Sequence, residues 1–299
     1  MTITVFTPAY NRARLLPVLY NSLCDQTFRD FEWLIVDDGS SDNTEDVVRT
    51  FIEEHKIDIA YFKKQNGGKH TAVNFGAQRA RGELFFIVDS DDKLPKDSLA
   101  LVNENYQPIK ENPEFAGVCG LKAYFNGDLL PGVVDYEVLD CKGLDYYYRR
   151  KSDAKDINAI VVRTQILVQH LFPEFEGEKF CAESAIWNPI CNDYYFRFFN
   201  RAIYKCEFLQ DGLSANSLKA RMKYPLSAMH IYSELCKFNV PYTVKIRSAC
   251  NYWRFFYCNS SPYYPRISVM YFPFFIFGFI MHLKDLKLSK NRLKIGRER

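Results

Sequence analysis

Through residue 94 the apolar positions fall alternately into short unbroken runs and into helically spaced stripes. Residues 3–7 predict a short buried strand, broken by Pro8 and followed by a turn through Asn11. Over residues 12–26, Leu15, Leu19 and Leu23 share one helical face with Leu16 beside them. Residues 32–36 predict a second strand that ends in Asp37-Asp38-Gly39-Ser40. Asp42 and Glu45 read as the N-cap and its N3 partner of a helix that buries Val47, Val48, Phe51 and Ile52. Residues 57–62 predict a third strand, Asn66-Gly67-Gly68 a turn, and residues 70–80 a helix with Gly82 as its C′ glycine. The run Leu84-Phe85-Phe86-Ile87-Val88 predicts a fourth strand.

Strands alternating with helices predict an α/β fold, with a parallel sheet and right-handed crossovers. In such a sheet the loops after each strand gather on one rim, here residues 8–11, 37–40, 66–69 and 89–92. The pattern loosens afterwards. Residues 95–106 predict a helix, 115–121 and 159–162 strands, and a helix starts at Thr164. Residues 183–190 predict a short helix ended near Pro189, and residues 124–148 take no clear assignment.

The fourth strand runs into Asp89-Ser90-Asp91-Asp92. Carboxylates gathered at the carboxyl edge of a sheet sit where open α/β folds bind ligands. They repel one another unless something positive lies between them. A hard divalent cation, Mg²⁺ or Mn²⁺, meets that need and leaves positions open for phosphate oxygens. The competing reading is a solvated, helix-capping acidic loop before Pro95.

In combination these segments resemble family-two glycosyltransferases of the GT-A fold. The resemblance rests on four ordered motifs: Thr7-Pro8-Ala9-Tyr10-Asn11-Arg12; Val36-Asp37-Asp38-Gly39-Ser40 with Asp42; Asn66 and Gly68 with Asn74, Gly76, Ala80 and Gly82; and Asp89-Ser90-Asp91-Asp92. It is strong over residues 1–95. It continues more weakly through residues 172–180 and Asp211-Gly212-Leu213-Ser214, in the manner of bacterial surface-polysaccharide enzymes.

The resemblance implies inverting transfer of a sugar from a nucleotide-sugar, most often a UDP-sugar, to a saccharide or lipid-linked saccharide. It implies that Pro8, Ala9, Tyr10 and Asn11 line the nucleotide pocket with Asp37 and Asp38. Asp38 would accept from a uracil N–H or a ribose hydroxyl. Gly68, Lys69, Asn74, Asp89 and Ser90 complete the implied donor site, Lys69 reaching a phosphate as a point charge. Asp91 aligns with the metal-ligand carboxylate, Asp89 meeting the ribose or the metal. The implied general base, in a short acidic motif well after these, is Glu183 in Cys181-Ala182-Glu183-Ser184, with Glu178 as the alternative.

The chain of 299 residues carries a net charge of only +3. Residues 284–299 hold seven basic and two acidic residues, so the rest is slightly acidic and does not suit nucleic acid. Nine cysteines without a CxxC pair read as reduced thiols, and the N-terminus lacks a signal-peptide pattern; both predict a cytoplasmic protein. Residues 269–283 are almost wholly apolar but short for a span and interrupted by Pro273 and Gly278. Beside the basic tail, they predict either peripheral contact with the cytoplasmic face of the inner membrane or a buried core helix. The expected organisation is a GT-A domain over 1–215, split at 95 into donor and acceptor halves, and an aromatic-rich helical extension over 216–299. A sugar nucleotidyltransferase would need a Gly-rich loop with basic residues where Pro8-Ala9-Tyr10-Asn11 stands. A non-catalytic binder would have no need of the carboxylates at Asp38, Asp89 and Asp91.

Overall fold

The computed structural model describes residues 1–132, 134–150, 158–207 and 216–295, with side chains to residue 287. Two compact units form, Met1–Phe172 with Ile186–Gln210, and Pro173–Ala185 with Asp211–Arg299. The Asp211-Gly212-Leu213-Ser214 motif and the end of the basic tail lie outside the described residues.

The first unit opens with β1 (Ile3–Ala9), α1 (Leu16–Cys24), β2 (Phe31–Asp37), α2 (Thr44–Glu53), β3 (Asp58–Lys63), α3 (Lys69–Ala77) and β4 (Leu84–Ile87). After α4 (Ser98–Tyr106) come β5 (Phe115–Ala123), β6 (Val138–Lys142), α5 (Gly143–Tyr148), β7 (Asn158–Arg163), α6 (Thr164–Gln169), α7 (Ser184–Asp193) and β8 (Tyr195–Lys205). The eight strands make one sheet in the order β3-β2-β1-β4-β7-β5-β8-β6. The first four are parallel, as the alternating pattern requires. The second half is mixed: β7 runs antiparallel to β4 and β5, β8 parallel to β5, and β6 antiparallel to β8.

Burial of unbroken apolar runs on both faces drives the parallel half. Every residue of β2 is buried, and Trp33 lies in a stack with Tyr20 of α1 and Phe51 of α2. Its indole N–H donates to Thr7 Oγ1 at 3.0 Å, which satisfies the one polar atom it carries into the core.

Four details depart from the sequence expectations. Pro8 does not break β1; it pairs in register with Val36. Its ring nitrogen faces the β4 side, where the ladder has already ended at Phe6–Ile87, so no ladder bond is lost. Asp42 lies one residue ahead of the N-cap Asn43 and accepts from the Thr44 N–H at 3.1 Å, while Glu45 pairs with Lys63 and Arg49 and Ile52 is exposed. α7 continues through Pro189, because burial of Ile186, Ile190 and Cys191 outweighs one missing helical bond.

Gly82 is not a C′ residue; α3 has already ended at Ala77. Its N–H donates to Thr4 Oγ1 at 2.9 Å, and a Cβ there would lie 2.3 Å from the Thr4 backbone nitrogen. Glycine is required by close approach to β1, not by helix termination.

The second unit holds α8 (Ser217–Lys223), α9 (Pro225–Leu235), α10 (Tyr242–Phe256), a 3₁₀ turn at Val269–Phe274 and α11 (Phe275–Ile295). Its small core gathers Met229 of α9 with Tyr252 and Phe255 of α10. The nine cysteines are all unbridged.

Substituting Gly82→Ala forces β1 and the β4 approach apart. The expected cost is about 2–3 kcal/mol, or a melting temperature lower by roughly 5–10 °C, read by calorimetry. An unchanged melting temperature would contradict the close approach.

Candidate functional site

The carboxyl ends of β1–β4 carry the four polar loops, and hydrogen bonds tie each loop to the next. Asn11 adopts a left-handed conformation (φ 54°) at the tip of the first loop. Its N–H donates to Ser40 Oγ at 2.8 Å, and its side-chain oxygen accepts from the N–H groups of Ser41 (2.9 Å) and Asp42 (3.3 Å). A short polar side chain tolerates this backbone and caps the neighbouring loop with it. Pro8 and Ala9 lie at the end of β1, Ala9 buried, and Tyr10 stands exposed at the rim. The Asp37 carboxylate is buried and committed to structure: it accepts from the Ser40 N–H at 2.7 Å and the Tyr61 hydroxyl at 2.6 Å.

Asp38 joins the second loop to the third. One oxygen accepts from Lys64 Nζ (2.8 Å) and the Gly67 N–H (2.9 Å), the other from the Gly68 N–H (2.7 Å) and the Asn66 amide (3.2 Å). Successive backbone N–H groups turned toward one carboxylate form an anion-binding concavity. Gly68 holds φ 98°, a conformation open to glycine at little cost, and this turns the chain into α3. Lys64 also donates to Thr71 Oγ1 at 2.8 Å.

The third loop reaches the fourth through Lys69, whose ammonium lies 2.6 Å from Asp89 Oδ1. Ser90 and Asp92 are buried and Asp91 is partly exposed. Burial, with the charges of Asp89 and Asp91 alongside, pushes the Asp92 carboxyl up to about 7. Tyr204 of β8 donates to Asp92 at 2.5 Å and accepts from the Asp89 N–H at 3.0 Å. Lys93 and Lys205 exchange backbone hydrogen bonds at 3.1 and 2.8 Å, so β8 clamps this loop from the second half of the sheet.

Among the described residues no three His, Cys, Asp or Glu side chains converge on a cation position. The carboxylate loop fits a cation of another kind, one held by one or two protein carboxylates and completed by substrate phosphate oxygens, as Mg²⁺ is. Asp89 and Asp91, two partly exposed carboxylates one residue apart at the end of β4, are the observation that fits such an ion.

Asn74 is buried in α3. Its amide donates to the Phe172 carbonyl at 3.0 Å and accepts from the Phe172 N–H at 2.8 Å, anchoring the chain that follows α6. Glu178 and Glu183 belong to the second unit. Glu178 is buried at the start of α9, where its oxygens accept from the Leu226 and Ser227 N–H groups at 2.5 and 2.7 Å and from the Ser227 hydroxyl. It supplies the cap and the negative charge that a helix N-terminus favours.

The profile of the family described as "Glycosyl transferase family 2" matches residues 4–161, just over half of the chain. The chain belongs to this family. Curated relatives include the poly(ribitol-phosphate) beta-N-acetylglucosaminyltransferase TarS of Staphylococcus aureus, 30% identical over 115 residues, which cover 36% of this chain and 20% of that one. TuaG of Bacillus subtilis, named for teichuronic acid biosynthesis, is 35% identical over 98 residues, covering 32% of this chain and 38% of that one. The chain thus matches only 20–38% of the length of such relatives.

The fold is shared with S. aureus TarS 1–349 bound to UDP-GlcNAc, at a TM-score of 0.61 and 19% identity over 93% of this chain and 79% of that one. It is also shared with a mannosyltransferase of Pyrobaculum calidifontis in complex with GDP-Man and Mn²⁺, at a TM-score of 0.56 and 16% identity over 95% and 87%. The GT-A expectation, with its sheet flanked by helices and a helical, aromatic-rich C-terminal region, is met.

For this family 2 glycosyltransferase, the local pattern brought the rim loops into view but not the residues that join them. Lys64, Tyr61 and Tyr204 were missed. Lys64 carried a usable signal in its place at the end of the third strand, whereas Tyr204 is 112 residues from Asp92 and had none.

Asp38→Ala strips the acceptor from two glycine N–H groups and an ammonium. Denaturant unfolding is expected to show a loss of about 2–3 kcal/mol, and a loss under half of that would mean the third loop does not depend on Asp38. Glu178→Ala uncaps α9, with an expected cost of about 1–3 kcal/mol by the same measurement.

Proposed function

We propose that the chain is an inverting glycosyltransferase that moves a sugar from a UDP-sugar to a hydroxyl of a saccharide or lipid-linked saccharide, in assembly of a surface polysaccharide. The observation that carries this reading is the continuous polar rim, Asn11–Ser40, Asp38–Gly67–Gly68 and Lys69–Asp89, at the carboxyl edge of a family 2 sheet. UDP-GlcNAc bound to TarS supports a uridine donor, and the names of TarS and TuaG support a cell-wall or surface polymer. Nine unbridged thiols support a cytoplasmic setting, where nucleotide-sugars are made available.

In this reading Pro8, Ala9, Tyr10 and Asn11 form the wall of the base pocket, with the Tyr10 ring exposed at its rim. Asp38, held with Gly67 and Gly68, offers carboxylate and backbone to the nucleoside, and Asp37 keeps that loop in shape. Asn74 acts at one remove by anchoring Phe172. Lys69 exchanges Asp89 for a donor phosphate, so the rim keeps its charge balance when the anion arrives. Asp91, with Asp89 and the neighbouring Ser90, would hold Mn²⁺ or Mg²⁺. Such an ion when bound supplies Lewis-acid neutralisation of the diphosphate charge.

The proposed base is Glu183. Glu178 is the weaker candidate because its carboxylate already caps α9. The base takes the proton of the acceptor hydroxyl, the oxygen forms its bond to the anomeric carbon, and the bond to the diphosphate oxygen breaks on the opposite face. Inversion at that carbon follows from a single displacement.

Thermal-shift titrations with UDP, GDP, CDP and dTDP, each with and without Mn²⁺, test the donor site. A UDP shift that needs Mn²⁺ and disappears in Asp91→Ala is the expected result, since a ligand at ~100 times its Kd adds about 2.7 kcal/mol. No shift with any nucleotide would overturn the donor reading. Glu183→Gln is expected to keep the UDP shift and lose roughly 10²–10⁴-fold in transfer, measured as UDP release with saccharide acceptors. Full activity in that variant would remove Glu183 as the base.

A further inference from the structure

α11 is built inside out for a surface helix. Toward α10 it turns Gly278, His282 and Asp285: a Cβ on Gly278 would lie 2.4 Å from Trp253 Cβ, His282 Nδ1 lies 3.5 Å from Cys258 Sγ, and Asp285 accepts two bonds from Arg254 at 2.5 and 2.7 Å. The Asp285 carboxylate is buried in this ion pair. Away from the protein the helix and the turn before it present Phe272, Ile276, Phe277, Phe279, Ile280 and Leu283, each 43–58% exposed. A water-facing helix places its polar residues outward. Here Gly278, His282 and Asp285 face in and apolar side chains face out, over an area of the kind that marks an interaction surface.

The charge says what covers it. The second unit carries 16 basic and 8 acidic residues, net +8, leaving −5 on the first unit. Residues 284–299, directly after the apolar run, hold seven of those basic residues. An aromatic apolar face continuous with a polybasic segment complements an anionic lipid surface, which offers an acyl boundary and negative headgroups together. A soluble protein partner or a second copy would meet strong like charge or need its own acidic face.

Among the described residues one stretch, Val269–Lys287, is long and apolar enough to cross a bilayer, with 22% of its most apolar window buried. Its attachment along α10 and its buried Asp285–Arg254 pair fit a helix lying on the surface instead. The expected buried-core alternative does not match the exposure of these side chains.

We propose that the second unit docks on anionic membranes by laying the outer face of the 3₁₀ turn and α11 into the interfacial layer, parallel to the bilayer, with the exposed Lys284 and Lys287 at the headgroups. Such docking does not depend on the transfer reaction.

Flotation of the full chain with phosphatidylcholine vesicles, with and without phosphatidylglycerol, tests it. Wild type is expected to float with phosphatidylglycerol vesicles, to be released by high salt and by alkaline carbonate, and to bind weakly to phosphatidylcholine alone. Phe277→Ser with Ile280→Ser, both at exposed positions, is expected to weaken flotation ~10-fold or more while the melting temperature stays unchanged. Failure of wild type to float, or equal flotation of the double variant, would overturn the proposal. So would retention after carbonate, which indicates a spanning helix. A wild-type dimer in light scattering that the double variant breaks would assign the face to a second copy.

Discussion

The arrangement of the rim depends on the Asp38 carboxylate and the four donors turned toward it. Two of those donors are backbone N–H groups in a glycine pair, so the carboxylate shapes the loop and not merely its side chains. Without it, the turn that starts α3 would present an ammonium and two N–H groups to one another, with nothing to receive them. Lys69 is the first residue of α3, so the position of the cation that meets Asp89 descends from the same contact. Each cation of the rim thus meets a carboxylate of a neighbouring loop, Lys64 with Asp38 and Lys69 with Asp89.

That pairing of charge gives the site a physical character of its own. Its cations are each committed to a carboxylate on a neighbouring loop, and its carboxylates outnumber them at the end of β4. A phosphate-bearing ligand accompanied by a cation changes both sides of that balance at once. Binding of one without the other leaves a charge unmatched in a partly dehydrated setting, where charge mismatch is costly. In the proposed reading, nucleotide and cation would therefore bind together.

Much of the first half was legible in the residues alone, because buried parallel strands and amphipathic helices have distinct periods. Strand boundaries moved by a residue or two, and Pro8 was misread because the side on which its missing N–H would point is a property of the sheet. Gly82 was misread for a similar reason: its neighbour is Thr4, 78 positions away. The stretch between residues 124 and 148 resisted assignment because β6 is an edge strand with exposed positions, carrying neither an unbroken run nor a clean alternation. Asp37, Asp38 and Asp89 were visible as carboxylates at strand ends. Tyr204 could not be seen, because a tyrosine in an aromatic-rich strand looks like any other core residue until the strand is placed. Glu178 looked like a candidate base by proximity to Glu183, and only the position of α9 gives it a different task.

The cap that Glu178 places on α9 has a consequence for how the chain is made. The carboxylate belongs to a short excursion, Pro173–Ala185, and its partners Leu226 and Ser227 follow 48 and 49 residues later, after the whole of β8. As the polypeptide leaves the ribosome, the sheet has all of its strands while this excursion still lacks the helix it caps. The second unit is discontinuous in the chain and completes only when the last quarter of the chain has emerged. Its assembly is thus a late event governed by loop closure across an already formed strand.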